Sequence, residues 1–304
     1  MNDPMPPEGV ARLTHLGVIR ARGPDATRFL QSQLTNDVAG MGLAEARLAG
    51  FCSAKGRLQA SFLLWKAAPD DVLLACSASL LAQTLKRLSM FVLRAQCKLS
   101  DASQQAPLLG LVGTAAVAAA AEAKPWEKRD IAEGTVIRLP DVRGLARCLV
   151  AASTSADAAD ATTPYPLEDW RWLEVQSGIP TIESSTVDQF VPQMLNLEVL
   201  GAVDFQKGCY PGQEVVARSQ YRGTVKRRML LFDCDAAAAA GQEVFHSADP
   251  GQPAGMVVNA AKATSGGWSA LVELKLAALD GGALHLGTPD GAPLQRAELP
   301  YALP

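Results

Sequence analysis

A thiol, an amine and a helix start meet within twelve residues, Lys207-Gly208-Cys209-Tyr210-Pro211-Gly212-Gln213-Glu214-Val215-Val216-Ala217-Arg218. Gly208 and Pro211-Gly212 are turn formers, because glycine accepts positive φ and proline pre-sets it. From Gly212 the pattern turns helical: Glu214 and Arg218 stand four apart on one face, and Val215 and Val216 face inward. Cys209 is thus expected in a tight loop just before a helix N-terminus, two residues from Lys207. A helix dipole and a nearby ammonium both favour thiolate over thiol, which suits a redox or transfer role. The same backbone N–H groups could cradle an anion. The competing reading is a buried structural cysteine in a tight turn.

Other potentially reactive residues are dispersed. The six cysteines (Cys52, Cys76, Cys97, Cys148, Cys209 and Cys234) contain no C-x-x-C pair, so zinc and iron–sulfur ligation by this chain is not expected. Cys52, Cys76, Cys97 and Cys148 lie in apolar surroundings and read as small core hydrophobes, which fits a reducing cytoplasm. His15, His246 and His285 have no metal-like or triad-like sequence neighbours and read as structural or surface residues. A net charge of −3 gives no general case for nucleic-acid binding. The local exception is Arg218, Arg222, Lys226, Arg227 and Arg228, five cations within eleven residues beside the thiol loop. That run reads either as solvated surface or as a site for phosphate, polyglutamate or tRNA. No uncharged apolar run is long enough to cross a membrane, and Met1-Asn2-Asp3-Pro4 does not open a secretory signal.

The elements that must position these residues follow from periodicity. Arg12–Arg20 alternates as a strand, Pro24-Asp25 opens a helix through Leu34, and 43–52, 57–65 and 71–76 are successive strands. Leu80, Leu81, Leu85, Leu88 and Phe91 predict a helix over 78–92, followed by a strand near 95–99. A second cycle places strands at 108–112, 135–139 and 146–151 around an alanine-rich helix at 115–122. Residues 151–163 are nearly all Ala, Ser, Thr and Asp and read as a surface loop, and 167–176 is a helix stopped by Gly178-Ile179-Pro180. Beyond Gly223, short strands alternate with Gly, Pro and Asp turns, a pattern expected of a small β-barrel. The fold class is α+β with mostly antiparallel sheets. The expected division is 1–105, 106–223 and 224–304.

The loop Lys207–Glu214 resembles the K-G-C-Y-x-G-Q-E signature of the YgfZ family, relatives of the glycine-cleavage T-protein. Upstream, Phe190-Val191-Pro192-Gln193 and Asn196-Leu197 resemble its F-[IV]-P-Q…N-L approach, and Tyr221-Arg222-Gly223 with Lys226-Arg227-Arg228 its continuation. Gly23–Ala26, Phe29–Gln31 and Thr35-Asn36-Asp37 resemble the shared G-x-D-A…F-L-Q…T-N-D segment.

The resemblance implies a tetrahydrofolate-binding accessory protein that sustains iron–sulfur client enzymes, tRNA-modifying ones among them. It implies folate in a central cavity with the C-terminal barrel beyond it. In that frame Cys209 is the working thiol, Lys207 its activator, and Gln213, Glu214 and Arg218 shape the loop and the ligand contacts. Trp170 and Trp172, two apart, point to nearly opposite helix faces, so at most one walls the cavity, and the resemblance implies Trp170, which aligns with an aromatic position of the family's folate pocket. Asn36 and Asp37 either contact the ligand or cap a turn. Aminomethyl transfer in the T-protein goes with an aspartate on a hairpin strand. The corresponding stretch, Lys55–Ser61, places Gln59 there and holds no carboxylate. An aminomethyltransferase is therefore not expected. The alternative is a folate-dependent one-carbon transferase using Asp37 or Glu214 as its acid or base.

Overall fold

The computed structural model describes residues 8–153, 163–221 and 225–304. The N-terminal Met1–Pro4 reading, most of the 151–163 stretch, Arg222, Gly223 and the boundary expected at 223/224 lie outside the described residues. Among the described residues no helix is long and apolar enough to cross a membrane.

The stretch expected as one strand from Arg12 to Arg20 is broken by Leu13-Thr14-His15 into β1 (Gly9–Arg12) and β2 (Leu16–Arg22). The break has a topological cause: the two strands belong to different sheets. β2 lies in a five-stranded antiparallel sheet with β3 (Ala46–Cys52), β4 (Leu58–Ala68), β5 (Asp71–Ser77) and β6 (Lys98–Asp101), in the order β3-β4-β5-β2-β6. Helices α1 (Ala26–Gln31) and α2 (Ala78–Ser89) cover one face of this sheet. The two-residue alternation of strands sorts its side chains. Ile19, Val72 and Leu74 join Phe29, Leu30 and Leu88 under the helices, while Val18, Leu73 and Ala75 face the molecule's centre.

β1 instead opens the second sheet, β1-β7-β10-β9-β8, also antiparallel, so the cut expected at residue 105 is crossed once. Its other strands are β7 (Leu108–Val112), β8 (Lys128–Ile131), β9 (Gly134–Val142) and β10 (Leu145–Ala152). Helix α3 (Thr114–Ala120) covers its outer face over Ala116, Val136, Cys148 and Val150. Its inner face adds Val112, Ile137, Leu139 and Leu149 to the central core.

Helix α4 (Leu167–Gln176) packs against that shared core. Glu168 and Asp169 in its first turn favour its start electrostatically. Helix α5 (Gln213–Tyr221) follows the thiol loop. The C-terminal residues form a six-stranded antiparallel sheet, β15-β12-β13-β14-β11-β16, curled into a half-barrel. Its strands are β11 (Arg227–Cys234), β12 (Glu243–His246), β13 (Asp249–Lys262), β14 (Trp268–Lys275), β15 (Leu284–Leu286) and β16 (Gln295–Ala297). β13 runs well beyond the Gly255–Val258 core of its sequence signal, bulging between Val257 and Asn259 as it bends around the half-barrel.

Candidate functional site

Where the inner faces of the two N-terminal sheets meet α4, they leave a cleft with about 760 Å³ of unfilled space, counting the solvent at its mouth. Leu48, Leu63, Leu139, Leu149 and Trp126 give it apolar walls, and Ser61, Arg147, Trp170 and Glu174 add the polar groups. Of the two tryptophans on α4, Trp170 faces this cleft, whereas Trp172 turns to the half-barrel and donates to Ser269 Oγ at 3.2 Å. Trp170 is only 1% exposed and lies flat on β7. A Cβ on Gly110 would stand 2.5 Å from its ring, so only glycine lets the indole rest there.

Three residues at or beside the cleft were given no role in it by sequence patterns: Glu174 and Arg147 line it, and His15 borders it. Trp170 Nε1 donates to Glu174 Oε1 at 2.8 Å, and His15 Nε2 lies 2.8 Å from Glu174 Oε2. Both carboxylate oxygens are thereby oriented. His15, read as structural or surface, sits in the strand-breaking turn after β1, half-buried and paired with the carboxylate of the cleft. Glu174 adds a carboxylate inside the cleft to Asp37 and Glu214, the acids that the sequence offered, neither of which lines it. Its signal was present in the sequence, because position i+4 from Trp170 shares that residue's helix face. Arg147 from β10 completes the set, its guanidinium 5.7 Å from the centre of the Trp170 ring. A second hollow lined by His15, Arg171, Glu183 and Asn259 adjoins the first, with Glu174 between them.

Most of the residues that the sequence marked lie elsewhere, in a second cluster. Lys207 Nζ donates to Gln31 O and Leu34 O, both at 2.5 Å, at the end of α1, and stands 5.2 Å from the Tyr210 ring centre. Burial pulls its pKa down to about 8. The ammonium is therefore engaged by carbonyls, and no bond to the thiol is found. Cys209 itself is exposed and unpaired, not buried as the competing reading had it. Cys52, Cys76 and Cys148 are buried, with the thiols of Cys52 and Cys76 pushed up to about 12 by desolvation, while Cys97 is half-buried.

Asn36 and Asp37 act as turn and brace residues. Asn36 Nδ2 donates to Leu48 O and Gly201 O at 2.7 and 2.8 Å, and its Oδ1 accepts the Asp37 N–H. Asp37 accepts the Gly40 N–H, and that bond with those of Gln31 and the charges of Arg47 and Lys207 holds its pKa low against the opposing burial. Neither residue lines the cleft. Thr35 Oγ1 donates to Ala202 O at 2.7 Å, so the T-N-D segment pins the approach to the thiol loop against the first sheet.

Gly212, at φ +80°, places its backbone against the hairpin between β3 and β4, where a Cβ would meet Ser53 O at 2.4 Å. Gln213 opens α5, its N–H reaching Tyr210 O at 3.2 Å. Glu214 and Arg218 form the expected i,i+4 ion pair at 2.6 Å, both exposed and outside the cleft. Val216 is buried and Val215 half-buried against Gly56.

Two of the five cations of the basic run are consumed inside the fold. Arg227 pairs with the buried Glu273, and Arg228 is itself buried against Glu198. This leaves Lys226 as the exposed cation of the 226–228 triplet. At the hairpin, Gln59 donates to Asp188 Oδ1 at 2.8 Å, so a carboxylate from a distant loop stands beside the position where β4 has none. Among the described residues no group of three or more metal-ligating side chains gathers.

Residues 8–154 match the family model described as the GCVT N-terminal domain. The fold is shared with the glycine cleavage system aminomethyltransferase T of Bartonella henselae at a TM-score of 0.76 and 18% identity, over 98% of this chain and 87% of that one. The tRNA-modifying protein YgfZ of Vibrio vulnificus is 30% identical over 244 residues, 78% of this chain and 73% of its own length. That of Edwardsiella ictaluri is 32% identical over 229 residues, covering 70% of this chain and 67% of the relative. With that identity spread across two thirds or more of such relatives, and with the thiol loop on the same scaffold, the chain belongs to the YgfZ family.

Proposed function

We propose that this protein binds a reduced folate in the cleft between its N-terminal sheets and in that state supports iron–sulfur enzymes, tRNA-modifying ones among them, in the cytoplasm. The observation behind the ligand is the cleft itself: a largely apolar slot with one oriented carboxylate, one buried guanidinium and the indoles of Trp126 and Trp170. That donor set fits a pterin, whose ring is flat and whose polar groups lie on its edge. Trp170 would form a wall, Glu174 would accept N–H groups of the ring, and Arg147 would face an oxygen. A bound reduced folate would supply a one-carbon or reducing group at the protein's centre. The curated relatives are tRNA-modifying proteins by name, which supports the direction of the role.

Cys209 belongs to the same proposal as a redox or transfer thiol, since it is exposed on a loop whose flanks are pinned by Lys207 and Gly212. A second reading, folate-dependent one-carbon transfer, gains from Glu174, which places an acid–base group inside the cleft. Turnover of methylene-tetrahydrofolate by the purified protein would favour that reading. Titration with tetrahydrofolate and 5-formyl-tetrahydrofolate, followed by tryptophan fluorescence, tests the binding. Saturation in wild type that is lost in Trp170→Ala is expected, and a flat wild-type titration rejects the proposal. For the thiol, full activity of Cys209→Ser in a depleted strain would remove its role.

A further inference from the structure

Arg147 is a buried cation with no carboxylate bonded to it. Strand β10 carries it inward, leaving it 1% exposed. Its Nε and Nη2 reach only Pro140 O, at 3.4 and 3.3 Å, and Nη1 has no partner among the described residues. The other buried arginine among the described residues, Arg228, has Glu198 against it. Glu174, the carboxylate of the same cleft, is bonded to Trp170 and His15 instead. A guanidinium has five N–H donors, and leaving them dry in an apolar interior is costly. Burial lowers the Arg147 pKa only to about 10, so the group keeps its charge at neutral pH.

Arg147 and Glu174 both flank the Trp170 indole, one over its face and the other on its N–H, and both line the cleft. A ligand ring in the cleft therefore has both an acceptor, Glu174, and a donor, Arg147, among its walls. We infer that Arg147 selects the ligand by a hydrogen-bond acceptor, so that the occupant sets N–H donors against Glu174 and an oxo group against Arg147. This rests on the folate reading for the ligand class and adds which ring edge is recognised. A 2-amino-4-oxo-pteridine has that donor–donor–acceptor edge. A 2,4-diamino-pteridine puts an amino group where Arg147 requires an oxygen, setting donor against donor.

The test compares 5-formyl-tetrahydrofolate with its 4-amino-4-deoxy counterpart, which differ at the 4-substituent and in the N3–H that goes with it, so the share of Arg147 is read from how the preference changes when that residue is substituted. Wild type should bind the oxo compound about tenfold or more tightly, the usual weight of a hydrogen bond to a charged group. In Arg147→Met the preference should shrink to within about threefold, and Arg147→Lys should restore part of it. Equal binding of both ligands by wild type, or full discrimination by a folded Arg147→Met, overturns the inference and leaves folate binding intact. Failure of wild type to bind either ligand overturns both. The wild-type ratio needs no variant, so a misfolded substitution does not protect the idea.

Discussion

The cleft against α4 and the thiol loop before α5 are built in opposite ways. The cleft draws Arg147 and Glu174, with His15 behind the carboxylate, from three distant parts of the chain, and no short motif contains them. The loop is one dense motif, yet most of its distinctive residues hold backbone in place. Lys207 caps carbonyls of α1, Asn36 and Thr35 tie down the approach, Gln193 donates to Val216 O at 2.7 Å, and Gly212 lets the loop touch a hairpin. Of its side chains, Cys209 is the nucleophile left facing solvent. A run of unusual residues at fixed spacing can therefore record a difficult backbone path, with chemistry confined to one atom. The two regions meet at β3, where Leu48 lines the cleft and its carbonyl accepts the Asn36 amide.

The widest separation between them should come from matched carboxamide substitutions. Glu174→Gln removes the only carboxylate that lines the cleft among the described residues and leaves a neutral amide against His15. Tetrahydrofolate affinity is expected to fall by about 10- to 100-fold, with circular dichroism checking that the fold survives. Glu214→Gln alters an exposed i,i+4 pair and should change affinity less than about twofold. Similar losses from both would erase the distinction between cleft and loop.

Glycines offer the next contrast. Gly110→Ala would drive a methyl into the Trp170 ring from 2.5 Å, where neither the strand nor the sandwiched indole can yield easily. A loss of about 1–3 kcal/mol in urea unfolding is expected, together with weakened folate binding. Gly212→Ala suffers both from φ +80° and from Ser53 O at 2.4 Å. It should cost about 1–2 kcal/mol and change the alkylation rate of Cys209 while leaving folate affinity nearly intact. Gly208→Ala meets nothing within 4 Å and should stay within about 0.5 kcal/mol of wild type. An effect of Gly212→Ala on folate binding as large as that of Gly110→Ala would mean the two regions are one mechanical unit.

How much of this was legible in the sequence depends on the range of the interaction. Helix α4 falls on the expected Leu167–Gln176, and β7 on Leu108–Val112, because flanking prolines and glycines punctuate both. The break between β1 and β2 was not legible. No glycine or proline marks Leu13-Thr14-His15, and only pairing with β7 on one side and β5 on the other divides the stretch. β8 is short and polar, and β16 is a three-residue edge strand, so neither offers a pattern to detect. In the cleft, helix geometry separated Trp170 from Trp172 and the family resemblance chose Trp170, after which Glu174 one turn later could have been found. The His15–Glu174 contact spans 159 residues and has no local trace. Within the basic run, the internal pairing of two residues was not legible for the same reason: Arg227 and Arg228 find Glu273 and Glu198 only once the half-barrel has folded.

The smallest expected effect separates the two buried cations by their titration. Arg147 in the cleft keeps its proton well above neutral pH, whereas burial brings Lys207 in the loop down to about 8. An unfolded lysine titrates near 10.4. Between pH 8 and about 10.4 the unfolded chain therefore holds a proton that the folded chain has released, so folding stability rises with pH across that window. Below pH 8 both states are protonated, and the folded state bears the full cost of the buried charge. Lys207→Met lacks this titration. The stability of wild type minus that of the variant should climb by about 1 kcal/mol from pH 8 to 10, a figure reduced for the solvent that still reaches the ammonium. Urea unfolding of both proteins at half-unit steps reads this directly, because groups common to the two chains cancel in the difference. Parallel curves would show the ammonium to be better solvated than its carbonyl cage implies, and would return Lys207 to the surface role that the loop's own exposure suggests.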